Sequence, residues 1–339
     1  MSRVVTMSEM ARELGVSRIT VSSVVNDHAR ERGISEKTER RVRSFLEKRG
    51  YVPSRGAVRL RGGARQGVGL FLCGPMYTHL MEAFNRFVVG LADMPGTLEI
   101  MMVSRQNILE GVRELVSRGV SSVVWIQTLS SAEEFREPAV LNYLSHTHTV
   151  LYNYPFGEGG ADGDLIRRGF SLVGVNRAEG HRKLAVFLRG IGHRRVAVVH
   201  PLQVKCFQEA GLDPVLLPSV EEYPVDIPQE GRRYAGEVLK RFRTERITAV
   251  CFTDDEEAGF ALREFRKAGV RVPKDLTVVG FDGIKTGEVF DVPLTTLAVP
   301  VKAMVDESLR MIRKGLRSKR RCLRLNLIRR ESHGPAGQR

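Results

Sequence analysis

Beyond residue 66, short apolar runs alternate with segments in which apolar positions recur every three or four residues. The runs at 67–73, 122–127 and 276–282 are apolar at consecutive positions, which is typical of strands buried on both faces. The segments at 78–91 and 178–189 have helical periodicity. This alternation predicts an α/β fold with helices on both faces of parallel sheets, and 339 residues fit two doubly wound lobes.

The first 53 residues predict a separate unit of short helices. Thr6 has capping-box spacing to a glutamate three residues later, and Gly15 can adopt the left-handed conformation that ends the first helix. Ser17 caps a second helix over 17–25, and a third follows over 36–49. Two short helices joined by a glycine turn are typical of a helix-turn-helix, whose second helix enters the major groove of DNA.

The order of residues in this unit resembles a known family. TMSEMARELGVSRITVSSVVND (6–27) and ISEKTERRVRSFLEKRGYVPS (34–54) are similar to the headpiece of the LacI/GalR repressors. The resemblance continues through GVNRAEGHRKLAVFLRGIGHRRVAVV (174–199) and TDDEEAGFALREFRKAGVRVPKDLTVVGFDG (253–283). It implies an N-terminal three-helix helix-turn-helix headpiece, a hinge, and a periplasmic-binding-protein-like core of two α/β lobes. The implied boundaries are 1–53 for the headpiece, 54–66 for the hinge, 67–330 for the sensor and dimerisation core, and 331–339 for a tail.

The resemblance also implies which residues bind DNA. Arg18 and Ile19 occupy base-reading positions; Arg18 could grip a guanine, and Ile19 could contact a thymine methyl group. A solvated helix face is the alternative for Arg18. Ser23 stands where the family often has a longer base-contacting side chain, so readout there is expected to be weak. The other positions assigned to the interface are Thr6, Ser17, Thr20, Ser22 and Asn26.

The hinge carries two further DNA-binding positions. Leu60 matches a leucine that enters the minor groove and wedges apart a base step, and Ala57 matches the small residue at the contact between two hinges. Packing of Leu60 on the core is the alternative. The resemblance therefore implies a homodimer on a pseudo-palindromic DNA operator.

Four positions are candidates for binding a small polar, sugar-like effector between the lobes. Asp282, Asp254 and Asn153 each stand at the end of a predicted strand, where ligands of such folds bind, and Tyr77 is expected to line the same cleft. For Asp282 the alternative is a turn-capping role before a glycine. Segment 199–212 lacks the arginine that clamps effectors in the family, and Lys205 has no planar fork to replace it. A core that dimerises but no longer senses a ligand is therefore the rival hypothesis.

The distribution of charge agrees with a polyanion-binding head. The net charge is +14, made up of +8 over residues 1–66, +10 over 310–339 and −4 between them. Whether the basic C-terminal segment touches DNA is left open, and a strand edge with solvated arginines is the favoured interpretation.

Several classes of protein and site are not expected. No apolar stretch is long enough to span a membrane, and the N-terminus lacks a secretory pattern, so we expect a cytoplasmic, nucleoid-associated protein without membrane contact. The four cysteines are scattered, and His146 and His148 are interpreted as an exposed strand edge, so no metal is expected. The acidic run at 254–257 is interpreted as the charged first turn of a helix. No catalytic motif is found, and neither enzymatic activity nor a cofactor is expected.

Overall fold

The computed structural model describes residues 7–25, 28–49, 51, 67–74, 76–94, 96–127, 137–157, 162–218 and 226–337. The helices are α1 (Met7–Leu14), α2 (Arg18–Val25), α3 (Glu36–Arg49), α4 (Thr78–Leu91), α5 (Ile108–Ser117), α6 (Pro138–Leu144), α7 (Asp162–Arg167), α8 (Arg177–Gly190), α9 (Pro201–Glu209), α10 (Ile227–Arg241), α11 (Asp255–Lys267) and α12 (Val301–Arg313). The strands are β1 (Gly67–Cys73), β2 (Thr97–Val103), β3 (Ser122–Gln127), β4 (His148–Pro155), β5 (Ser171–Val175), β6 (Arg195–Val198), β7 (Asp213–Leu216), β8 (Ala249–Cys251), β9 (Thr277–Asp282), β10 (Thr295–Ala298), β11 (Arg320–Leu323) and β12 (Asn326–Ile328).

Helices α1, α2 and α3 form the headpiece around their own small core. Gly15 joins α1 to α2 with φ of +61°, the left-handed conformation that the sequence predicted for this turn. The buried apolar side chains come from all three helices and include Met10, Leu14, Val21, Val24, Val42 and Leu46. The predicted helix-turn-helix is therefore confirmed.

Two parallel sheets form the core, as the alternation of apolar runs predicted. Lobe 1 has the strand order β2-β1-β3-β4-β5-β11, and its paired strands are all parallel. Lobe 2 has the order β7-β6-β8-β9-β10-β12, in which only the β10–β12 pairing is antiparallel among those described. Four of the six strands of lobe 1 are interior (β1, β3, β4 and β5), which explains their apolar residues at consecutive positions.

The chain passes between the lobes after β5, after β10 and after β11. Helix α12 follows β10 of lobe 2 but packs on α4, β4 and β5 of lobe 1. One apolar cluster extends through both lobes, from Leu72 and Leu80 of lobe 1 to Phe281 and Leu297 of lobe 2. The lobes are thus joined by shared apolar packing as well as by the chain.

Two expectations about the core need revision. His148 is not at an exposed strand edge: β4 lies between β3 and β5, and His148 is only 5% exposed. Packing also continues beyond the boundary predicted at residue 330, since buried Ser332 donates to the carbonyl of Val278 and accepts from the amide of Thr295. Neither feature has a local sequence signal, because both depend on which strands become neighbours.

Among the described residues, no helix combines the length and apolar character required to cross a membrane.

Candidate DNA interface and interlobe cleft

The start of α2 presents two side chains to solvent on a braced helix end. Ser17 Oγ accepts from the amide of Thr20 at 3.0 Å and lies 2.8 Å from the Thr20 hydroxyl oxygen. Arg18 is exposed and Ile19 is 63% exposed, while Val21 of the same helix is buried. An isoleucine left exposed beside an arginine, on a helix of the motif that enters the major groove, is suited to reading base edges.

Ser23 faces the interior instead. It is 5% exposed, and its hydroxyl donates to the carbonyl of Ile19 at 2.8 Å. This side chain is therefore turned away from the surface that carries Arg18. The geometry agrees with the weak readout expected at this position.

The structure describes only some of the other residues predicted to bind DNA. Ser22 is half-buried on α2. Thr6, Asn26, Ala57 and Leu60 lie outside the described residues.

The cleft between the lobes contains a contact that sequence reasoning missed. His79, near the start of α4 in lobe 1, places its Nδ1 3.0 Å from Oδ2 of Asp282 at the end of β9 in lobe 2. The atoms lie at ion-pair distance, although neither ring nitrogen of His79 meets hydrogen-bond geometry with a described atom. His79 is 7% exposed and Asp282 5%. The carboxyl ends of β1 and β9 thus face each other, as ligand-binding folds of this class require.

Asp282 itself has an unusual backbone. Its φ is +102°, which side chains with a Cβ rarely adopt, and the following Gly283 has φ of +76°. Such strain tends to persist at functional positions, because the surrounding structure must hold it in place. Asn153 shares this property, with φ of +64° at an irregularity in the β4–β5 register, and it is buried at the carboxyl edge of the lobe 1 sheet.

Asp254 is half-buried and Asp255 is buried on the lobe 2 side of the cleft. Asp254 caps α11, accepting from the amides of Glu256 and Glu257 at 2.6 and 3.2 Å. Burial and the nearby charge of Asp282 raise the pKa of Asp254 to about 7. Asp254 and Asp282 therefore lie close together, but Asp254 already has a structural role as a helix cap.

Asp255 holds the turn that follows Asp282. Its Oδ2 accepts from the amides of Gly283 and Ile284 at 2.8 and 2.9 Å. Burial, followed by the charge of Asp282, raises the pKa of Asp255 to about 8. Gly280 permits this approach, because a Cβ there would lie 2.1 Å from Asp255 Oδ1.

The acidic run at 254–257 is therefore more than a charged first helical turn. Asp255 is fully buried and Glu257 is 9% exposed. Burial, with Asp254 and Glu230 nearby, raises the pKa of Glu257 well above its usual value. Among the described residues, no group of three or more His, Cys, Asp or Glu is placed to hold a metal ion.

Tyr77 lies beside the interlobe contact. Its ring is nearly parallel to that of His79, with an angle of 8° and centroids 6.4 Å apart. Tyr77 is thus adjacent to the histidine that contacts Asp282. His79 lies only two residues after Tyr77, in a segment that the sequence already indicated as part of the cleft. The sequence near His79 contains no signal that its side chain faces the cleft and not the solvent.

The segment without the family arginine forms a self-contained helix start. His200 caps α9 by accepting from the amide of Leu202 at 3.1 Å, and the side chain of Gln203 accepts from the amides of Val199 and His200. Lys205 is exposed. Burial, with the charge of Arg177 nearby, lowers the pKa of His200 and lowers that of His181 to about 3.

Comparison with known families finds matches to two separate parts of the chain. Residues 6–54 match the family described as bacterial regulatory proteins, lacI family. Residues 176–333 match the family described as periplasmic binding protein-like domain.

The chain is similar along most of its length to proteins named as transcriptional regulators. It is 24% identical over 340 residues to the HTH-type transcriptional regulator DegA of Bacillus subtilis, with 93% of each chain covered. It is 28% identical over 331 residues to the HTH-type transcriptional regulator Rv3575c of Mycobacterium tuberculosis, covering 87% of this chain and 86% of that protein. Against the HTH-type transcriptional repressor PurR of Escherichia coli the identity is 24% over 327 residues, with 93% and 91% covered.

Solved structures share the whole architecture. A Lac repressor dimer bound to operator and the anti-inducer ONPF superimposes with a TM-score of 0.64 at 19% identity, covering 97% of this chain and 99% of that one. The cellobiose complex of the transcriptional regulator CelR gives a TM-score of 0.60 at 22% identity, covering 96% and 99%. At these identities the likeness shows the fold: a helix-turn-helix headpiece on a two-lobed core.

Proposed function

Because the chain belongs to the LacI family of DNA-binding transcriptional regulators, we propose that it is a repressor that binds a pseudo-palindromic operator as a homodimer. The observation that carries this proposal is the exposed pair Arg18 and Ile19 on a helix start braced by Ser17 and Thr20. An arginine can read a guanine bidentately, while isoleucine offers an apolar contact to a thymine methyl group. DNA as the partner implies a position in the cytoplasm, with the nucleoid.

A second copy of the chain fits one apolar face of lobe 1. Met81 and Val89, two turns apart on α4, are 41% and 73% exposed. Ile100 and Met102 on the edge strand β2 are 43% and 61% exposed. Ile100 and Met102 lie on the same side of β2 as Leu98. Leu98 packs against the apolar cluster that contains the buried side chains of α4, so this side of β2 faces the same way as the exposed part of α4. We call these four residues the lobe 1 apolar face; exposed apolar groups clustered in this way favour a protein partner.

The hinge completes the operator contact in this proposal. The unit 1–53 reads the major groove, and residues 54–66 connect it to the core that begins at residue 67. Ala57 would let two hinges approach closely, and Leu60 would enter the minor groove between them. Thr6, Ser22 and Asn26 would brace the headpiece against the phosphate backbone. The support for these roles is the family resemblance of the sequence.

A small polar effector would bind between the lobes. In this proposal Asp282 and Asp254 line the lobe 2 side, Tyr77 stands beside His79, and Asn153 lies at the carboxyl edge of the lobe 1 sheet. Carboxylates and an amide suit the hydroxyl groups of a sugar-like ligand. A ligand of this kind would compete with His79 for Asp282 and would shift DNA affinity by a coupling free energy of about 1–3 kcal/mol.

A second candidate function is favoured by that same contact. His79 contacts Asp282 directly across the cleft, at 3.0 Å and with both groups buried. A core of this kind could keep its lobes together permanently and serve only for dimerisation. The repressor would then bind its operator regardless of any effector.

Selection of duplexes from a random pool tests the DNA-binding proposal. The wild-type protein should enrich a pseudo-palindrome at physiological salt. Arg18→Ala should flatten the preference at one base pair of each half-site, a loss of about 1–3 kcal/mol of discrimination. Arg40→Ala is the matched control, because Arg40 is an exposed cation on α3 that pairs with Glu36. If both variants changed affinity for all sequences equally, Arg18 would have no base-reading role.

A further inference from the structure

The turn between α12 and β11 is strongly cationic. Residues 313–321 contain six Lys or Arg and no Asp or Glu. Arg320 pairs with Asp162 and Arg321 with Glu307, each at 3.3 Å. Lys314, Arg317 and Lys319 are exposed and have no ion pair with any described carboxylate. We call residues 314–319 the basic loop.

The backbone of the basic loop is held in one conformation. The carbonyl of Leu316 accepts from His148 Nε2 at 2.8 Å and from Ser171 Oγ at 3.1 Å. Arg317 Nη1 donates to the carbonyl of Thr147 at 2.8 Å, and the carbonyl of Lys319 accepts from the amide of Leu172 at 2.7 Å. Cations on such a fixed support lose less conformational entropy on binding than those of a free tail.

His148 contributes to this support as a neutral imidazole. Burial lowers its pKa, and the charge of Arg317 acts in the same direction, while the hydrogen bond to Leu316 opposes them. The imidazole donates its Nε2 proton to the Leu316 carbonyl without placing a further charge beneath the loop. The anchoring of the basic loop therefore does not depend on protonation near neutral pH.

The basic loop lies at the same end of lobe 1 as the headpiece. The strands of this sheet are parallel, so the start of β11 lies at the same edge as Gly67, the first residue of β1 after the hinge. His146 Nε2 donates to the carbonyl of Arg49 at the end of α3, at 2.6 Å. The next residue along the chain, Thr147, is the one that Arg317 contacts. The loop is thus adjacent to the junction between headpiece and core.

We propose that the basic loop contacts the phosphate backbone of the DNA duplex next to the site bound by the headpiece. This inference rests on the proposed DNA-binding function and adds a second, sequence-independent contact from the core. Phosphates are the partner that unpaired, fixed cations beside a DNA-binding unit are suited to neutralise. The loop therefore contributes affinity and salt dependence, and it reads no bases.

The test is the salt dependence of DNA affinity in the full-length protein. The loop variant carries Lys314→Gln, Arg317→Gln and Lys319→Gln. A matched control carries Arg246→Gln, Arg263→Gln and Lys274→Gln, exposed cations of lobe 2 that likewise have no ion pair with a described carboxylate. Two further variants are measured beside the loop variant. One carries only Lys314→Gln and Lys319→Gln and so keeps the contact between Arg317 and the carbonyl of Thr147. The other carries Arg18→Ala. The probes are a duplex limited to the selected operator and one extended on both flanks.

The expected result is specific to the loop and to the extended duplex. Each lost phosphate contact should reduce the slope of log affinity against log salt by about 0.9. The loop variant and its double form should therefore bind the extended duplex several-fold more weakly at low salt, with unchanged base preference and unchanged affinity for the short duplex. Equal slopes of log affinity against log salt for wild type, loop variant and control would overturn the inference. Equal slopes are also the result expected if the loop binds an acidic protein and not DNA.

Failure of the proposed function gives a different result. The wild-type protein would then show no preference among DNA sequences, while the effect of the loop variant on DNA affinity could still be measured.

Discussion

His79 Nδ1 on lobe 1 and Asp282 Oδ2 on lobe 2 lie 3.0 Å apart, with both residues more than nine-tenths buried. A buried carboxylate requires a partner, because removing its charge from water without compensation is costly. The partner comes from the opposite lobe, so the contact is made only when the lobes are together. Separation or rotation of the lobes must break it, and a ligand that binds Asp282 must compete with it.

A double-mutant cycle measures this interlobe contact. His79→Ala should remove the nearest partner of a buried carboxyl group and lower the free energy of unfolding by about 1–3 kcal/mol. Asp282→Ala should have a smaller effect in a background that already lacks His79, with a coupling energy of about 0.5–3 kcal/mol. Urea unfolding followed by the fluorescence of Trp125, the single tryptophan, is the measurement. The exposed pair Arg271 and Asp275, at 2.8 Å, is the control and should show little coupling. Additive effects of His79 and Asp282 would contradict an interlobe link.

Thermal stability in the presence of small polar compounds separates the two candidate functions of the core. At a concentration of 100 Kd a ligand raises the free energy of unfolding by about 2.7 kcal/mol, which raises the melting temperature by several degrees. We expect sugars or nucleobases that shift wild type to shift His79→Ala more, because they no longer compete with the imidazole. Asp282→Ala should abolish the shift. If millimolar compounds shift neither wild type nor His79→Ala, the non-sensing core is the better account.

Charges placed in the lobe 1 apolar face should dissociate the proposed homodimer. Val89→Lys combined with Met102→Lys would bury two cations in an apolar contact, which costs several kcal/mol. Sedimentation should then show a monomer, and operator affinity should fall at least about tenfold, because one headpiece reads only one half-site. Val186→Lys is the control, since Val186 is 63% exposed on α8 of lobe 2. A dimer that survives the double substitution, or that is lost in the control, would place the interface elsewhere.

The raised pKa values of Asp254 and Asp255 predict a decline in stability between pH 6.5 and 8. The pKa values of Asp254 and Asp255 are about 7 and 8 in the folded chain, well above the ordinary aspartate value. The folded state therefore binds more protons than the unfolded state up to about pH 8, and the free energy of unfolding falls as pH rises through this range.

Buried histidines have the opposite effect on stability, but only below the pKa of an unfolded histidine. Burial lowers the pKa of His181 to about 3. Its contribution to the free energy of unfolding therefore increases up to about pH 6.5 and is constant above that pH.

Melting temperatures at pH 6.5, 7.2 and 8.0 check this sign. Wild type should melt progressively lower across the series. Asp255→Asn keeps an oxygen for the amides of Gly283 and Ile284 but cannot ionise, so its decline should be smaller. Asp213→Asn is an exposed control and should follow wild type. A wild-type stability that rises over this range would contradict the raised aspartate pKa values.

Much of the architecture was fixed by local patterns in the chain. Gly15 and Ser17 mark the helix-turn-helix, because a left-handed turn and an amide-capping hydroxyl act within a few residues. Consecutive apolar residues, as in β1 and β9, indicate strands covered on both faces, and the structure confirms them. Asp282 could also be placed in advance at the end of its strand, since position along a parallel strand determines which edge of the sheet it reaches.

Only the tertiary structure decided which distant groups meet. His79 finds Asp282, Asp255 is buried beneath Gly283 and Ile284, and His148 supports the basic loop through Leu316. Each of these contacts joins residues far apart in sequence. They form because two sheets dock with their carboxyl edges facing and because β11 returns to the edge of lobe 1. A sequence specifies periodicity and capping through neighbours along the chain, whereas the burial and pairing of a single polar side chain depend on the packing of whole elements against one another.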